Sequence, residues 1–234
     1  MGKQSKGRCR YCQAEYTKSG MIRHTASCKE RMKEMGKAAN VKVKPCGYFT
    51  LSITGKYDKD YWLIIECKEN AMLQDVDQFL RDIWLECCGH LSAFHIEGES
   101  YERIVYTSGL GDTPSKSMKH PLKSVLEKGM NIGYEYDFGS TTDLIITVSD
   151  YKVGPWKKDK ITLLARNNPM ESICSKCGKK AARWICTECI YDGTGFLCED
   201  CAESHECGTD MLLPVCNSPR CGVCGYEGSD IYGD

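Results

Sequence analysis

The chain has 234 residues, 31 Lys/Arg against 32 Asp/Glu, and 17 cysteines, a length that suits one core domain with small appended modules. The near-neutral sum conceals a gradient: residues 1–44 hold 12 Lys/Arg and 3 Asp/Glu, residues 45–170 hold 14 and 18, and residues 171–234 hold 5 and 11. The polar, basic start Met1–Arg10 predicts no secretory leader, no stretch is long and apolar enough for a membrane helix, and most cysteines recur as Cys-x-x-Cys pairs. These features argue against an extracellular disulfide framework and for thiolate metal sites in a reduced, cytoplasmic protein.

Residues 1–44 read first as a metal knuckle and then as a charged helical tail. Cys9-x2-Cys12-x11-His24-x3-Cys28 supplies two thiolates from a tight turn and two further donors four residues apart, which share one face of a helix. Tyr16 and Met21 occupy the apolar positions that a ββα unit packs beneath its ion. The pattern resembles a classical zinc finger with Cys as the last ligand. By that similarity Thr17, Ser19, Gly20 and Arg23 stand at base-facing helix positions, of which only Arg23 is a good base reader. Arg8, Arg10, Lys18, Lys29, Arg31 and Lys33 add phosphate contacts that are blind to sequence. A boundary follows near Val41–Pro45.

Residues 46–168 read as α+β, with four cysteines and no paired spacing. Phe49, Leu51 and Ile53 alternate as on a half-buried strand, Gly55–Asp60 is a turn, and Tyr61–Cys67 is a second strand. Leu73, Val76, Phe79/Leu80, Ile83/Trp84 and Cys87 recur every three to four residues and predict a helix over Ala71–Cys88, capped by Asn70. A hairpin around Glu97-Gly98-Glu99, a short helix near Leu122–Glu127, strands at Ile132–Phe138 and Leu144–Val148, and a last edge strand at Ile161–Ala165 complete a ββα-ββ-α-ββ order. His90, His95 and His120 are scattered. Asp137 and Asp143 flank a Gly-Ser-Thr-Thr turn, which reads as a strand-end turn with Asp137 bonding its own loop, or, with His90, as a polar cleft. No P-loop, dinucleotide fingerprint or nucleophile elbow occurs. No catalytic residue, organic cofactor site or small-molecule substrate is therefore expected, and the chain is not read as an enzyme.

Residues 171–234 hold ten cysteines, beginning with three Cys-x-x-Cys pairs at a period of twelve. Alternating pairs of this kind cross-brace. One ion is assigned to Cys174, Cys177, Cys198 and Cys201. A second is assigned to Cys186, Cys189, His205 and Cys224, with Cys207 or Cys221 as substitutes. Cys207, Cys216 and Cys221 otherwise remain for an additional ion. With the finger, three zinc ions are expected. The arrangement resembles a B-box or a related cross-braced module.

Two runs in the middle segment carry a family resemblance: Leu85-Glu-Cys-Cys-Gly-His90-Leu91-Ser-Ala-Phe94, and Tyr134-Glu-Tyr136-Asp137-Phe138-Gly139. They are similar to the plasmid pRiA4b ORF-3-like family, and Leu163–Pro169 with Leu213–Tyr226 resembles a zinc-bearing subset of it. The resemblance implies a fold but no activity. The expected whole is a cytoplasmic, multi-zinc protein that binds nucleic acid, DNA or RNA, ribonucleoprotein included. Its basic finger grips phosphate, and its acidic body meets a protein partner. The alternative is a protein-interaction adaptor with structural zinc and no nucleic-acid role.

Overall fold

The computed structural model describes residues 4–38, 44–105 and 115–232. The expected boundary at Val41–Pro45 falls partly on residues 39–43, outside the described residues. The chain forms two units, Met1–Phe79 with Leu91–Asn168, and Leu80–His90 with Pro169–Asp234.

The first unit is one large sheet with few helices. Its elements are β1 (Lys6–Cys9), β2 (Glu15–Thr17), α1 (Lys18–Ser27), α2 (Lys29–Ala38), β3 (Cys46–Gly55), β4 (Trp62–Lys68), α3 (Leu73–Leu80), β5 (Ser92–Ile96), β6 (Glu99–Glu102), β7 (Lys116–Ser117), β8 (Asn131–Tyr136), β9 (Thr142–Gly154) and β10 (Ile161–Asn167). The strand order is β2-β1-β10-β4-β3-β9-β8-β5-β6-β7, antiparallel throughout except for β6 with β7. Side chains of β8 from Ile132 onward and of β9 from Thr142 to Ser149 alternate between buried and half-buried, as on a sheet with one covered face. By contrast, β4 is buried at every position. Successive strand side chains point to opposite faces, so both faces of β4 are covered. Trp62 and Ile64 join Cys9, Met21, Cys28, Leu164 and Ala165 in one apolar cluster.

That cluster explains the main departure from the expected layout. The finger is part of the sheet. Strand β1 pairs with β10 in the register Gly7↔Asn167, Arg8↔Arg166 and Cys9↔Ala165, so β10 is an interior strand and not the expected edge. Gly7 makes this pairing possible: a Cβ there would stand 2.1 Å from the Arg166 carbonyl oxygen and 2.6 Å from the Trp62 ring. Gly7→Ala is therefore expected to lower stability by about 3 kcal/mol, read by urea denaturation. A change below a few tenths would show that β1 does not dock on β10.

The hairpin at Glu97-Gly98 forms with both residues at positive φ, +50° and +84°, which is the two-residue turn whose twist matches the flanking strands. The expected helix over Ala71–Cys88 is shorter and changes pitch. Asp75 Oδ2, not Asn70, accepts the N–H of Met72 at its start. After Leu80 the chain continues as a π-helical turn, Arg81–Leu85, with Glu86 N–H donating to Arg81 O. The expected helix at Leu122–Glu127 is a 3₁₀ turn, Leu122–Ser124. Beside α3, the buried Asp77 carboxylate accepts from Ser92 Oγ (2.6 Å), Tyr134 OH (2.7 Å) and Arg103 Nη1 (2.6 Å). Asp77→Ala removes the buried acceptor shared by all three donors, and a loss of about 3–4 kcal/mol is expected in chemical denaturation. A loss below about 1 kcal/mol would contradict that role.

The second unit is small. Its strands β11 (Trp184–Cys186), β12 (Phe196–Leu197) and β13 (Leu212–Pro214) form a sheet in the order β12-β11-β13. A single turn of helix, α4 (Glu199–Glu203), follows β12. The residues Leu80–His90 belong with this unit, so its make-up is discontinuous in sequence.

Candidate metal centres

The finger's knuckle is made by its turn. Cys9 N–H donates to Ala14 O at 3.0 Å and Gln13 N–H to Cys9 O at 2.9 Å, with Gln13 in the left-handed region. This presents Cys9 and Cys12 to His24 on α1 and to Cys28, which ends α1. Cys12 Sγ lies 3.1 Å from His24 Nε2, and Cys9 Sγ lies 3.9 Å from Cys28 Sγ. A tetrahedral zinc ion sets edges of about 3.8 Å between sulfurs and about 3.6 Å between sulfur and imidazole nitrogen, so this donor set fits zinc. Burial raises the Cys28 thiol, but N–H groups of Arg31 and Glu30 at the start of α2 help to hold it below its ordinary value. That favours the thiolate a metal needs. Met21 is buried beneath the site as expected, whereas Tyr16 is 39% exposed. Strand β2 is the outer edge of the sheet, and the Tyr16 ring stacks on His24 with centroids 4.7 Å apart. Trp62, Ile64 and Leu164 fill the space beneath the site.

In the second unit Cys174, Cys177, Cys198 and Cys201 come together, with Cys177 Sγ 3.9 Å from Cys198 Sγ. Burial pushes the Cys174 thiol up, yet N–H groups of Cys177, Cys198 and Lys176 with the Cys177 side chain together bring the thiol to about 6. Between these pairs lies the other arm of the cross-brace. Cys186, Cys189, His205 and Cys207 form a group in which Cys189 Sγ is 3.5 Å from His205 Nε2 and 3.6 Å from Cys207 Sγ. Burial raises the Cys186 thiol as well, and the Cys189 N–H and the His205 ring help to pull it down to about 7.

The fourth member of this group is one of the two expected substitutes and not the residue first assigned. Cys207 occupies the corner assigned to Cys224. A turn from His205 to Gly208, with Gly208 N–H donating to His205 O at 3.0 Å, returns Cys207 to the site two residues after His205. Cys224 lies instead with Cys87, Cys88 and His90, so that the described residues hold four Cys/His groups that could bind metal. Sequence reasoning missed this last group, although Cys-Cys-Gly-His90 is a conspicuous run in an otherwise cysteine-poor segment. Cys216 and Cys221 belong to none of the four and pack with Ile185 and Tyr226.

The cations expected to touch nucleic acid divide by exposure. Arg10, Arg23, Lys29 and Lys33 are exposed, Lys18 is half-buried, and Arg8 is exposed but paired with Glu15 at 2.9 Å. Arg31 is a correction: it is 3% exposed, and its guanidinium donates to Thr25 O and Glu66 Oε2. Helix α2 lies against the sheet on that side, which turns Arg31 inward. Arg10 and Tyr11 line a cleft of about 540 Å³ with Trp156, Lys157 and Lys158. Trp156 is 44% exposed, and Lys68 Nζ sits 4.2 Å from its ring centroid.

At the Asp137 turn, Asp137 adopts φ +65° and its Oδ1 accepts the Gly139 N–H at 3.0 Å, as in a local Asx turn. Asp143 Oδ1 accepts from Lys56 Nζ at 2.9 Å, and His90 stands in the Cys87–Cys224 group.

No helix among the described residues is long and apolar enough to cross a membrane. No family model matches the chain, and no curated protein matches it. Among solved structures the chain is similar to a protein of unknown function, MM3350, from Methanosarcina mazei Go1, at 17% identity and a TM-score of 0.40, over 60% of this chain and 71% of that one.

Proposed function

We propose that the chain is a zinc-stabilised nucleic-acid-binding protein, cytoplasmic and non-enzymatic, of the pRiA4b ORF-3-like family. The observation that supports this reading is the cleft between the finger knuckle and the segment before β10. There Arg10 and Lys158 supply exposed cations, and Trp156 and Tyr11 supply rings beside them. Cations placed along a groove track a phosphate backbone, and an exposed aromatic face stacks an unpaired base of either DNA or RNA. The exposed Arg23, Lys29 and Lys33 extend the positive surface over the finger's helices. Zinc serves as scaffold. The acidic second unit is the surface for a protein or ribonucleoprotein partner.

Fluorescence anisotropy with labelled single-stranded and duplex oligonucleotides, titrated across salt, tests this. Arg10→Gln with Lys158→Gln is expected to lower the magnitude of the salt slope by about one for each phosphate that the variant no longer neutralises. Trp156→Ala is expected to weaken single-strand binding by about 1–3 kcal/mol. An unchanged slope and affinity in these variants would sink the reading. Nuclease-resistant partners that are lost in Cys186→Ser would put the adaptor role in its place.

A further inference from the structure

We infer that Cys87, Cys88, His90 and Cys224 form a fourth zinc centre, a three-thiolate, one-imidazole site within the second unit. All four donor atoms lie within 4.8 Å of one another. Cys88 Sγ is 3.6 Å from Cys224 Sγ, and Cys224 Sγ is 3.5 Å from His90 Nε2. These are close to the edges of about 3.8 Å and 3.6 Å that a tetrahedral zinc ion imposes. A disulfide between Cys88 and Cys224 would need neither the imidazole nor the third thiol.

The surrounding chain is shaped to deliver these donors. The π-helical turn ends at Leu85, Glu86 turns extended, and Gly89 at φ +73° swings His90 back toward Cys87 and Cys88. Glu86 Oε1 accepts the Gly89 N–H at 2.6 Å and steadies that bend. On the other segment Cys224 adopts φ +56°, in the left-handed region that favours glycine, and its sulfur lies beside Cys88. The two segments are fastened by Trp84 Nε1 donating to Asn217 O at 3.0 Å and by Ser218 Oγ donating to Trp84 O at 2.6 Å. Arg220 is fully buried, and its Nη2 donates to Cys87 Sγ at 3.5 Å. A donor bonded to a ligand sulfur fixes that side chain's orientation, as the outer partners of metal sites do.

The centre closes the second unit on itself. It joins Leu80–His90 to the C-terminal segment across more than 130 residues of sequence. None of its four donors is buried, whereas each of the other three groups has at least one buried cysteine. Its ion is therefore the first that a chelator removes.

Native mass spectrometry of the full chain tests this, with mapping of cysteines that N-ethylmaleimide alkylates. Four zinc ions per wild-type chain are expected, with Cys87, Cys88 and Cys224 protected. His90→Ala is expected to hold three ions and expose those three thiols alone. His90→Cys, which keeps four donors, is expected to recover the fourth ion. Stepwise chelation of the wild type should release these three thiols before Cys9, Cys174 or Cys186. A wild-type chain with three ions overturns the inference, whether Cys87, Cys88 and Cys224 are alkylated or Cys88 and Cys224 are recovered as a disulfide. The alkylation map separates this result from loss of any other centre.

Discussion

Cys174→Ser is expected to unfold the second unit as a whole. The strands there are two or three residues long, and short strands around few large apolar side chains do not hold themselves together. Structural zinc supplies folding energy directly, on the order of 10–16 kcal/mol for small thiolate sites at neutral pH. Cys174 stands at a corner of the cross-brace, and the same stretch is bonded into the sheet. Cys174 N–H donates to Lys180 O, and Ser175 N–H donates to Phe196 O on β12. Hydrogen exchange read by mass spectrometry should show β11, β12 and β13 losing protection in Cys174→Ser or after chelation. Strands β3, β4 and β9 should keep theirs. Persisting protection of Ile185 and Leu213 would mean that apolar packing, and not metal, holds this unit.

Glu66→Gln is the second change with a large expected effect. Glu66 is 1% exposed and carries three cations, Arg31, Lys152 and Lys157. Removing one partner from a buried pair leaves uncompensated charge, at a cost of about 3–5 kcal/mol. Burial alone would raise the Glu66 carboxyl, but Arg31, Lys157 and Lys152 more than offset it and hold it below its usual 4.5. A carboxylate lowered in the folded state adds stability that is full above the ordinary carboxylate value. That stability drains away as pH falls through the lower folded value. Urea denaturation should therefore separate wild type from Glu66→Gln by several kcal/mol at pH 7, and the gap should narrow steadily in acid. A gap that is equal at pH 7 and pH 3 would show that the carboxylate's charge is not what the site uses.

The contrast between these two sites shows which parts of the molecule were readable in the chain. Local spacing carried much of the Cys/His grouping. Cys9, Cys12, His24 and Cys28 lie within twenty residues, and the alternation of Cys174/Cys177 with Cys186/Cys189 follows from a tetrahedral ion needing two pairs. The Glu97-Gly98 turn was likewise written in two residues. What depends on distant partners was not readable. Cys224 had several chemically equivalent destinations, and its neighbours Cys88 and His90 lie more than 130 residues away. Arg31 looked like one more cation on a charged helix, because nothing local marks Glu66 as its buried partner. The expected edge at Ile161–Ala165 became an interior strand because the pairing segment, Lys6–Cys9, lies at the opposite end of the sequence.

That pairing gives the finger a duty within the sheet itself. Strand β1 covers the N–H and C=O groups of β10 at Ala165–Asn167, while Cys9, Met21 and Cys28 shield Trp62 and Leu164. If an ion held by these donors were withdrawn, the knuckle would no longer hold β1 in register. The sheet then offers a bare rim of hydrogen-bonding groups beside newly exposed rings, the combination that templates edge-to-edge pairing between copies. Removal of a metal ion held by the finger should consequently appear as clumping of this protein, with its sheet otherwise intact, so that the donors that shape the finger would also keep the molecules apart.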